Sequence, residues 1–451
     1  MLGSNHHNVS RSVPGRTWPR RRGGLLPLFL VMFGLLLALT ALAVDGANLW
    51  SAHLEMQNSV DAAALAAAME LADDELLTGL PNVMFAAAAK AHNQAQAFAA
   101  LNPVCTQPLM LQSNPTQHPQ GDIVFGFYDV RSGAGFQPAL SQELAEPTLN
   151  AVRITGRRTK DRQNPIALWF SGIQGRPVGD VVAQATAMLD RDVIGFRPMG
   201  HQTIPLMPLA LLSDPTAQQE ASWEYQTIRP TWSAASMPYA PIANDQFIFE
   251  RKQNRFLPVG GTITQGNRIP EMAVRIPLSD AVLQDIEPGE EPNGCWLQIG
   301  ITQEDGLLRQ MGIGLGADDL QGNGGVFLLD DDGFMTVAGR EPLVNSPSSV
   351  LAKRLMALQE VVDRAEPRIY PLYRKRQSAE GNQPATVLLS GFVAARIIGV
   401  AWRSEPYPHL YMLLEPCQLV TATAITDAQM RSVQPGAPVP NAYIGKVRLV
   451  P

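Results

Sequence analysis

The chain has 451 residues, 45% of them hydrophobic and 17% charged, with 36 prolines, 37 glycines and a formal charge of −6 at pH 7. That is the composition of an ordinary globular protein rich in turns. Setting aside five arginines at the extreme N-terminus leaves 30 basic against 41 acidic residues, a formal charge of −11, which argues against nucleic acid or an anionic lipid surface as a partner of the main body.

Those five arginines, Arg11, Arg16, Arg20, Arg21 and Arg22, precede a run from Leu25 to Val44 that carries no charge, and no Asp or Glu occurs before Asp45. Twenty residues of helix measure about 30 Å, the thickness of a bilayer's hydrocarbon core. A soluble core helix of that length would keep one polar side, and this run is apolar all round. Ala41-Leu42-Ala43 fits the small-x-small pattern of signal peptidase. The run is nonetheless longer than the apolar region of a signal peptide, about 7 to 15 residues. From Ala47 to Leu71 the sequence also holds neither Gly nor Pro, while Leu49, Met56, Val60, Ala63 and Ala67 recur at helical spacing. A helix continuing through the membrane boundary favours an uncleaved anchor over a removed signal. Positive flanks stay cytoplasmic, so the bulk of the chain is expected across the inner membrane, with 25–44 in contact with lipid.

TGLPN at 78–82 breaks the helix through Gly79 and Pro81, and a second, alanine-rich helix is expected over 83–101, ending before Asn102-Pro103. From Gly121 the runs GDIVFGFYDV, TLNAVRITGRR, NPIALWFSG and VGDVVAQATAML read as antiparallel strands. In NAVRITGRR, Val152 and Ile154 share one face while Arg153 and Thr155 share the other. The unit from 45 to about 198 therefore reads as a long helix laid on a small sheet.

RRRGGLLPLF, AVDGANLW and QNSVDAAALAAA together resemble the N-terminal region of TadG-like (TadE/TadG) proteins of the Tad, or Flp, pilus-assembly system. Gln57, Asn58, Asp61, Ala62, Ala63, Ala64, Leu65 and Ala66 fit the family's helix-ending motif position by position. The resemblance implies a pilin-like start: an extended helix, half in the membrane, capped by a small α+β head in the periplasm. It implies other pilus-assembly or envelope proteins as partners and allows a homo-oligomer. Two features depart from related proteins. Counted from Gly23 or Gly24, the fifth position is Leu28 or Phe29 where processed pseudopilins have Glu, and no Asp-x-Ser-x-Ser adhesion string occurs. Asp45 also reads as a polar stop at the membrane face, and Asp61 as a solvated or capping residue.

Beyond residue 198 the strings PLMPLALLSD, FIFERKQNRFLPVGGTI, CWLQIGITQ, GVFLLDDDGFMTVAG and ATVLLSGFVAARIIGVAW read as strands, as do the closing segments HLYMLLEPCQLVTATAIT and AYIGKVRLVP. One helix is expected, opened by Ser346 and Pro347, with Leu351, Leu355, Leu358 and Val362 as its buried stripe. The fold class is α+β. Its expected parts are a basic cytoplasmic tail (1–22), a transmembrane helix (23–44), a pilin-like domain (45–198) and a β-rich periplasmic domain (199–451).

Catalytic motifs are missing from the sequence: there is no Gly-x-Ser-x-Gly, no His-Glu-x-x-His and no Walker A lysine. GIGLGADD at 312–319 reads as a loop. LDDDG at 329–333 lacks two of the ligands of a calcium loop and reads as an Asp-rich turn. The seven histidines are scattered, so no metal, cofactor or catalytic residue is assigned. Cys105, Cys295 and Cys417 are too few for a disulfide scaffold; in an oxidising compartment Cys295 and Cys417 are the pair expected to bond. Two functions follow: a membrane-anchored accessory or structural component of a pilus-assembly or surface apparatus with no chemistry of its own, or an anchored exported hydrolase or ligand-binding protein with its site in 199–451.

Overall fold

Helix α1 runs unbroken from Leu25 to Met69. Pro27 falls in its first turn, where the missing N–H has no intrahelical partner to lose. In the computed structural model the described residues are 25–451 except 79, 81, 131, 147, 171–176, 228–244, 251, 260–265, 278–289, 301–302, 341–347, 378–384, 406 and 427–440. The expected roles of Arg11, Arg16, Arg20, Arg21, Arg22, Gly79, Pro81, Ser346 and Pro347 thus fall outside the described residues. Two compact units are present, one of the residues up to Leu54 together with Arg158–Val181, the other of Glu55–Arg157 together with Val182–Pro451.

Further elements in the first half are α2 (Val83–Leu101), β1 (Ile123–Asp129), β2 (Gly135–Pro138), β3 (Ala151–Arg158), β4 (Ile166–Ala167), β5 (Val178–Gly179), β6 (Val181–Asp190) and β7 (Val193–Phe196). The second half adds β8 (Leu209–Leu212), α3 (Trp223–Thr227), β9 (Phe247–Glu250), β10 (Arg255–Pro258), β11 (Met272–Pro277), β12 (Gly294–Trp296), α4 (Glu304–Ile313), β13 (Phe327–Leu328) and β14 (Met335–Ala338). It closes with α5 (Ser348–Arg364), β15 (Arg368–Gln377), β16 (Thr386–Arg403), β17 (His409–Pro416), β18 (Leu419–Val420), β19 (Ala424–Thr426) and β20 (Ile444–Val450). The chain is α+β, a long apolar helix followed by a β-rich region.

In the first unit the hairpin β4–β5 pairs Ile166 with Gly179 and Ala167 with Val178. Among its described residues NPIALWFSG, expected as a full strand, pairs as a strand over these two residues before the chain bends at Trp169 and Phe170.

In the second unit a six-stranded sheet has the order β18-β20-β6-β3-β1-β2. Helix α1 from residue 55 onward lies over β3. A Cβ added at Gly156 would stand 2.7 Å from Val60 Cγ1 and 3.3 Å from Met56 Cγ, so only glycine lets the helix come this near. Helix α2 buries Ala87, Ala88, Ala91, Ala95 and Ala99 and is tied to α1 by Ser59 Oγ donating to Ala99 O at 3.2 Å. The boundary expected at residue 198 does not part the sheets, because β20 pairs antiparallel with β6, Lys446 opposite Asp190 and Val450 opposite Thr186. The last strand thereby covers an edge that would otherwise offer unpaired backbone groups.

A second sheet has the order β11-β17-β16-β15-β8-β12, with β14 added on β16. It curls until its ends meet: Asn293 N donates to Arg275 O at 3.2 Å, Asn293 Nδ2 donates to Ala273 O at 2.8 Å, and Arg275 N donates to Asn293 Oδ1 at 2.7 Å. One face carries Met272, Val274, Ile276, Leu410, Met412 and Leu414 and packs on Leu307 and Met311 of α4 and Leu358 and Val361 of α5. The other carries Ala210, Cys295, Ile369 and Phe392, and packs on Phe196 and Phe327 of the small β13-β7-β19 sheet.

Two expectations shift here. Residues 304–313, which fall among expected strands and loops, form α4 despite Gly306 and Gly312, because Leu307 and Met311 have a core to enter. On α5 the most deeply buried positions are Arg354, Leu358 and Val361, while Leu355 and Val362 lie at the margin and Leu351 is half-buried. Arg354 is admitted because Nε and Nη2 donate to Glu304 at 2.6 and 2.8 Å and its guanidinium lies 5.4 Å from the Trp296 ring centroid.

Candidate functional site: the foot of the apolar helix and the motif beyond it

Between Leu25 and Val44 every residue is exposed except Ala41, which is half-buried. Leu25, Phe29, Val31, Leu35 and Leu42 are each more than 60% exposed among the described residues. Thr40, the one polar side chain of the run, returns its hydroxyl to Leu36 O at 2.8 Å. The helix therefore presents no unsatisfied side-chain donor along its apolar length.

At the foot of the run Asp45 is 3% exposed. Its Oδ1 accepts the backbone N–H of Trp169 at 2.8 Å and that of Phe170 at 3.2 Å, and Oδ2 accepts from Phe170 at 3.2 Å. Three residues on, Asn48 Nδ2 donates to Ala167 O at 3.1 Å. A Cβ at Gly179 would come within 2.7 Å of Leu49 Cδ2. Positions 45, 48 and 49 lie on one helix face, and together they clamp the β4–β5 hairpin. Asp45 is thus more than a polar stop: it is the buried acceptor for a bend whose Trp169 is 75% exposed. Sequence reasoning missed this bend, since its partner lies 124 residues away. Trp50 is 66% and Leu54 48% exposed, and the Trp50 ring sits 6.5 Å from that of His53.

The motif residues divide by helix face. Ala63 and Ala64 are buried in the second unit's core, Ala62, Leu65 and Ala66 are half-buried, and Asn58 is exposed. Gln57 Nε2 donates to Asp61 Oδ1 at 2.8 Å and to Gln184 O of β6 at 3.2 Å, so Asp61 orients the amide that ties the helix to the sheet. Large apolar side chains stay exposed on and near α2: Phe85, Phe98, Leu101 and Met110. An apolar cavity of about 290 Å³ opens between Phe85, Ala88, His92, Phe125 and Leu144.

The distal half holds two larger cavities. The first, about 660 Å³, is lined by Asp74, Phe249, Asn254, Arg364, Glu366 and Arg396. Its charges are paired: Arg396 Nη1 lies 2.9 Å from Asp74 Oδ2 with its guanidinium 4.2 Å from the Phe249 centroid, and Arg364 Nε lies 3.9 Å from Glu366. Near it, burial pushes Glu415 up to about 8 although Asn267 and Arg396 pull the other way. Burial likewise raises Glu271 to about 7 against the backbone hydrogen bonds it accepts from Gln246 and Phe247. Conversely, burial disfavours ionisation of Glu304, but Arg354 and Arg340 outweigh it and hold that carboxyl below its usual value. The second cavity, about 600 Å³, lies between Trp223, Glu224, Asp331, Arg374, Ser390 and Tyr443.

Asp330 Oδ1 accepts the backbone N–H of Asp332 at 3.0 Å and of Phe334 at 2.8 Å, and Gly333 takes φ +82°, so LDDDG forms the turn its composition suggests. Among the described residues no group of three or more His, Cys, Asp or Glu is placed to hold a metal ion. The bond expected between Cys295 and Cys417 is not formed: both are buried free thiols. Cys295 faces Ala210 on β8, whereas the Cys417 N–H donates to Ala394 O on β16. At least two strand spacings, about 10 Å, part them, beyond the ~7 Å Cα reach of a disulfide. Burial pushes the Cys295 thiol up to about 12 and raises Cys417 as well, leaving both protonated and weakly nucleophilic.

An α+β protein led by an uncovered apolar helix long enough to cross a bilayer, and running on into its folded body, is the class defined by these features. Residues 23–70 match the family model of putative Flp pilus-assembly TadE/G-like proteins, the same stretch that carries Asp45 and the Gln57-to-Ala66 motif. No curated protein and no solved structure matches the chain.

Proposed function

We propose that the chain is a membrane-anchored accessory or structural component of a Tad/Flp-type pilus-assembly or cell-surface apparatus, acting through protein contacts rather than chemistry. The observation that carries this reading is the uncovered run 25–44 within the segment matched by the pilus-assembly family. An exposed helix of twenty uncharged, almost wholly apolar residues is stable only in lipid or under another protein. The arginines ahead of it set the N-terminus in the cytoplasm and the bulk in the periplasm of a bacterial inner membrane. Partners engage the α1–α2 side, where Phe85, Phe98 and Leu101 stand exposed. Self-association through the same helices is compatible with this arrangement.

The rival reading, an exported hydrolase or ligand-binding protein, draws on the cavity between Asp74, Arg364 and Arg396. Its lining charges neutralise one another, which supports a structural role for them.

Photo-crosslinking of the full chain in native membranes separates the two. A crosslinker at Phe85 or Phe98 is expected to capture pilus-assembly or other envelope proteins, and one at Asn254, in the distal cavity, is not. Recovery of the chain without any envelope partner from either position, with substrate turnover by the purified full chain, would reverse the assignment.

A further inference from the structure

We propose that the Trp169–Phe170 bend, held by the Asp45 carboxylate at the foot of the apolar run, is a second membrane contact seated in the headgroup layer of the bilayer that 25–44 crosses. This rests on the anchored reading above and adds to it a site that the span alone does not supply.

Three observations in the first unit carry it. Asp45 directly follows Val44, the last residue of the apolar run, so whatever Asp45 holds lies at the level where hydrocarbon gives way to headgroups. What it holds is backbone: three hydrogen bonds of 2.8 to 3.2 Å fix Trp169 and Phe170, and the Asn48 bond to Ala167 together with Leu49 against Gly179 stops the hairpin from swinging along the helix. The bend then leaves Trp169 75% and Phe170 40% exposed, and Leu42, three residues before Asp45 on the helix, is 68% exposed. Tryptophan is seldom left so exposed in water, and its amphipathic ring favours the headgroup level of a bilayer.

Trp50 stands five residues past Asp45, about 7.5 Å along the axis and turned well away from the clamping face. The helix thus carries one exposed indole on its own surface and borrows another from the hairpin on a different side. A single span rotates and tilts freely; two aromatic contacts on different sides oppose both motions and fix how the unit that holds the span meets the membrane. The contact is aromatic rather than electrostatic, in keeping with the acidic body.

Brominated-lipid quenching tests it. The full chain carrying Trp18→Phe and Trp50→Phe is reconstituted in phosphatidylcholine bilayers with bromine on shallow acyl carbons, leaving Trp169 as the one tryptophan in the sequence of the unit that holds the span. Part of the emission is expected to be quenched relative to unbrominated lipid, and adding Trp169→Phe should remove that quenched component. Asp45→Ala, which frees the bend without touching the run, should weaken the quenching while the chain stays resistant to carbonate extraction. A chain that is retained in the bilayer but shows no quenching of Trp169 overturns the second contact and leaves the anchor standing. Crosslinking of position 169 to a protein partner in native membranes, with no quenching, overturns it in favour of a protein interface. Failure of the chain to be retained at all defeats the anchored reading itself, and this inference with it.

Discussion

The two ends of α1 are both apolar helix, yet they are built from different residues and meet different surroundings. From Leu25 to Val44 most side chains are leucine, phenylalanine, valine and methionine, and all but half-buried Ala41 are exposed. From residue 55 to Met69 the buried positions are mostly alanine, with Met56 and Val60 pressed against Gly156 of β3. Large side chains suit the fluid medium proposed for the first half, which fills any gap; small ones serve where a rigid neighbour must come close. Hydrophobicity alone does not distinguish the halves. Side-chain size and the pattern of burial do.

The largest expected effect comes from making the first half unfit for lipid. Leu35→Arg with Leu36→Arg places two charges near the centre of the run, each disfavoured by about 2.5–3.5 kcal/mol in a bilayer. Membrane retention should be lost on carbonate extraction while the thermal unfolding of the body is unchanged. Loss of both together would mean that the halves are not independent. A smaller effect is expected where the second half meets the sheet. Gly156→Val pushes a branched side chain into the 2.7 Å gap beneath Val60, and overpacking of this kind typically costs about 1–3 kcal/mol. Denaturant unfolding should show that loss with retention intact; an unchanged midpoint would show that the helix is not seated on β3.

How much of this was legible in the sequence depended on how far each interaction reached. The apolar helix, its continuation through α1 and the bounds of α2 follow from residues within one or two turns of each other, because Gly and Pro are absent between Ala47 and Leu71 and reappear in TGLPN. Motif residues 57 to 66 were recognisable for the same reason. Partners far apart in the chain left no local trace: Asp45 with Trp169, β20 with β6, and Asn293 with Arg275, which joins the ends of the curled sheet. α4 was hidden by Gly306 and Gly312, whose low helix propensity is overridden by burial of Leu307 and Met311. The Cys295–Cys417 pairing failed because shared compartment and shared strand character say nothing of register.

The halves of α1 also differ in how the regions they belong to answer to pH, and this gives the finest test. No titratable side chain lies between Leu25 and Val44, so retention should be flat with pH. The body is different, because Glu415 on β17 is buried, and burial lifts its folded pKa to about 8. An acid whose pKa is raised on folding stabilises the folded state fully below its unfolded value, about 4.3, and that contribution drains away as pH climbs to the folded value. Glu271, at about 7, acts in the same direction. Glu415→Gln keeps an acceptor for the Asn267 amide, now 3.1 Å from Oε2, and removes the titration. A tenfold change in proton affinity between the unfolded and folded states is worth about 1.4 kcal/mol, and relaxation around the group absorbs much of the total, so the variant should gain about 1–2 kcal/mol at pH 8.5 and nothing near pH 4. Differential thermal unfolding across that range reads the gain directly. A variant less stable than the parent at pH 8.5 would show that the ionised carboxylate is held by Arg396 and that burial is not what governs this strand.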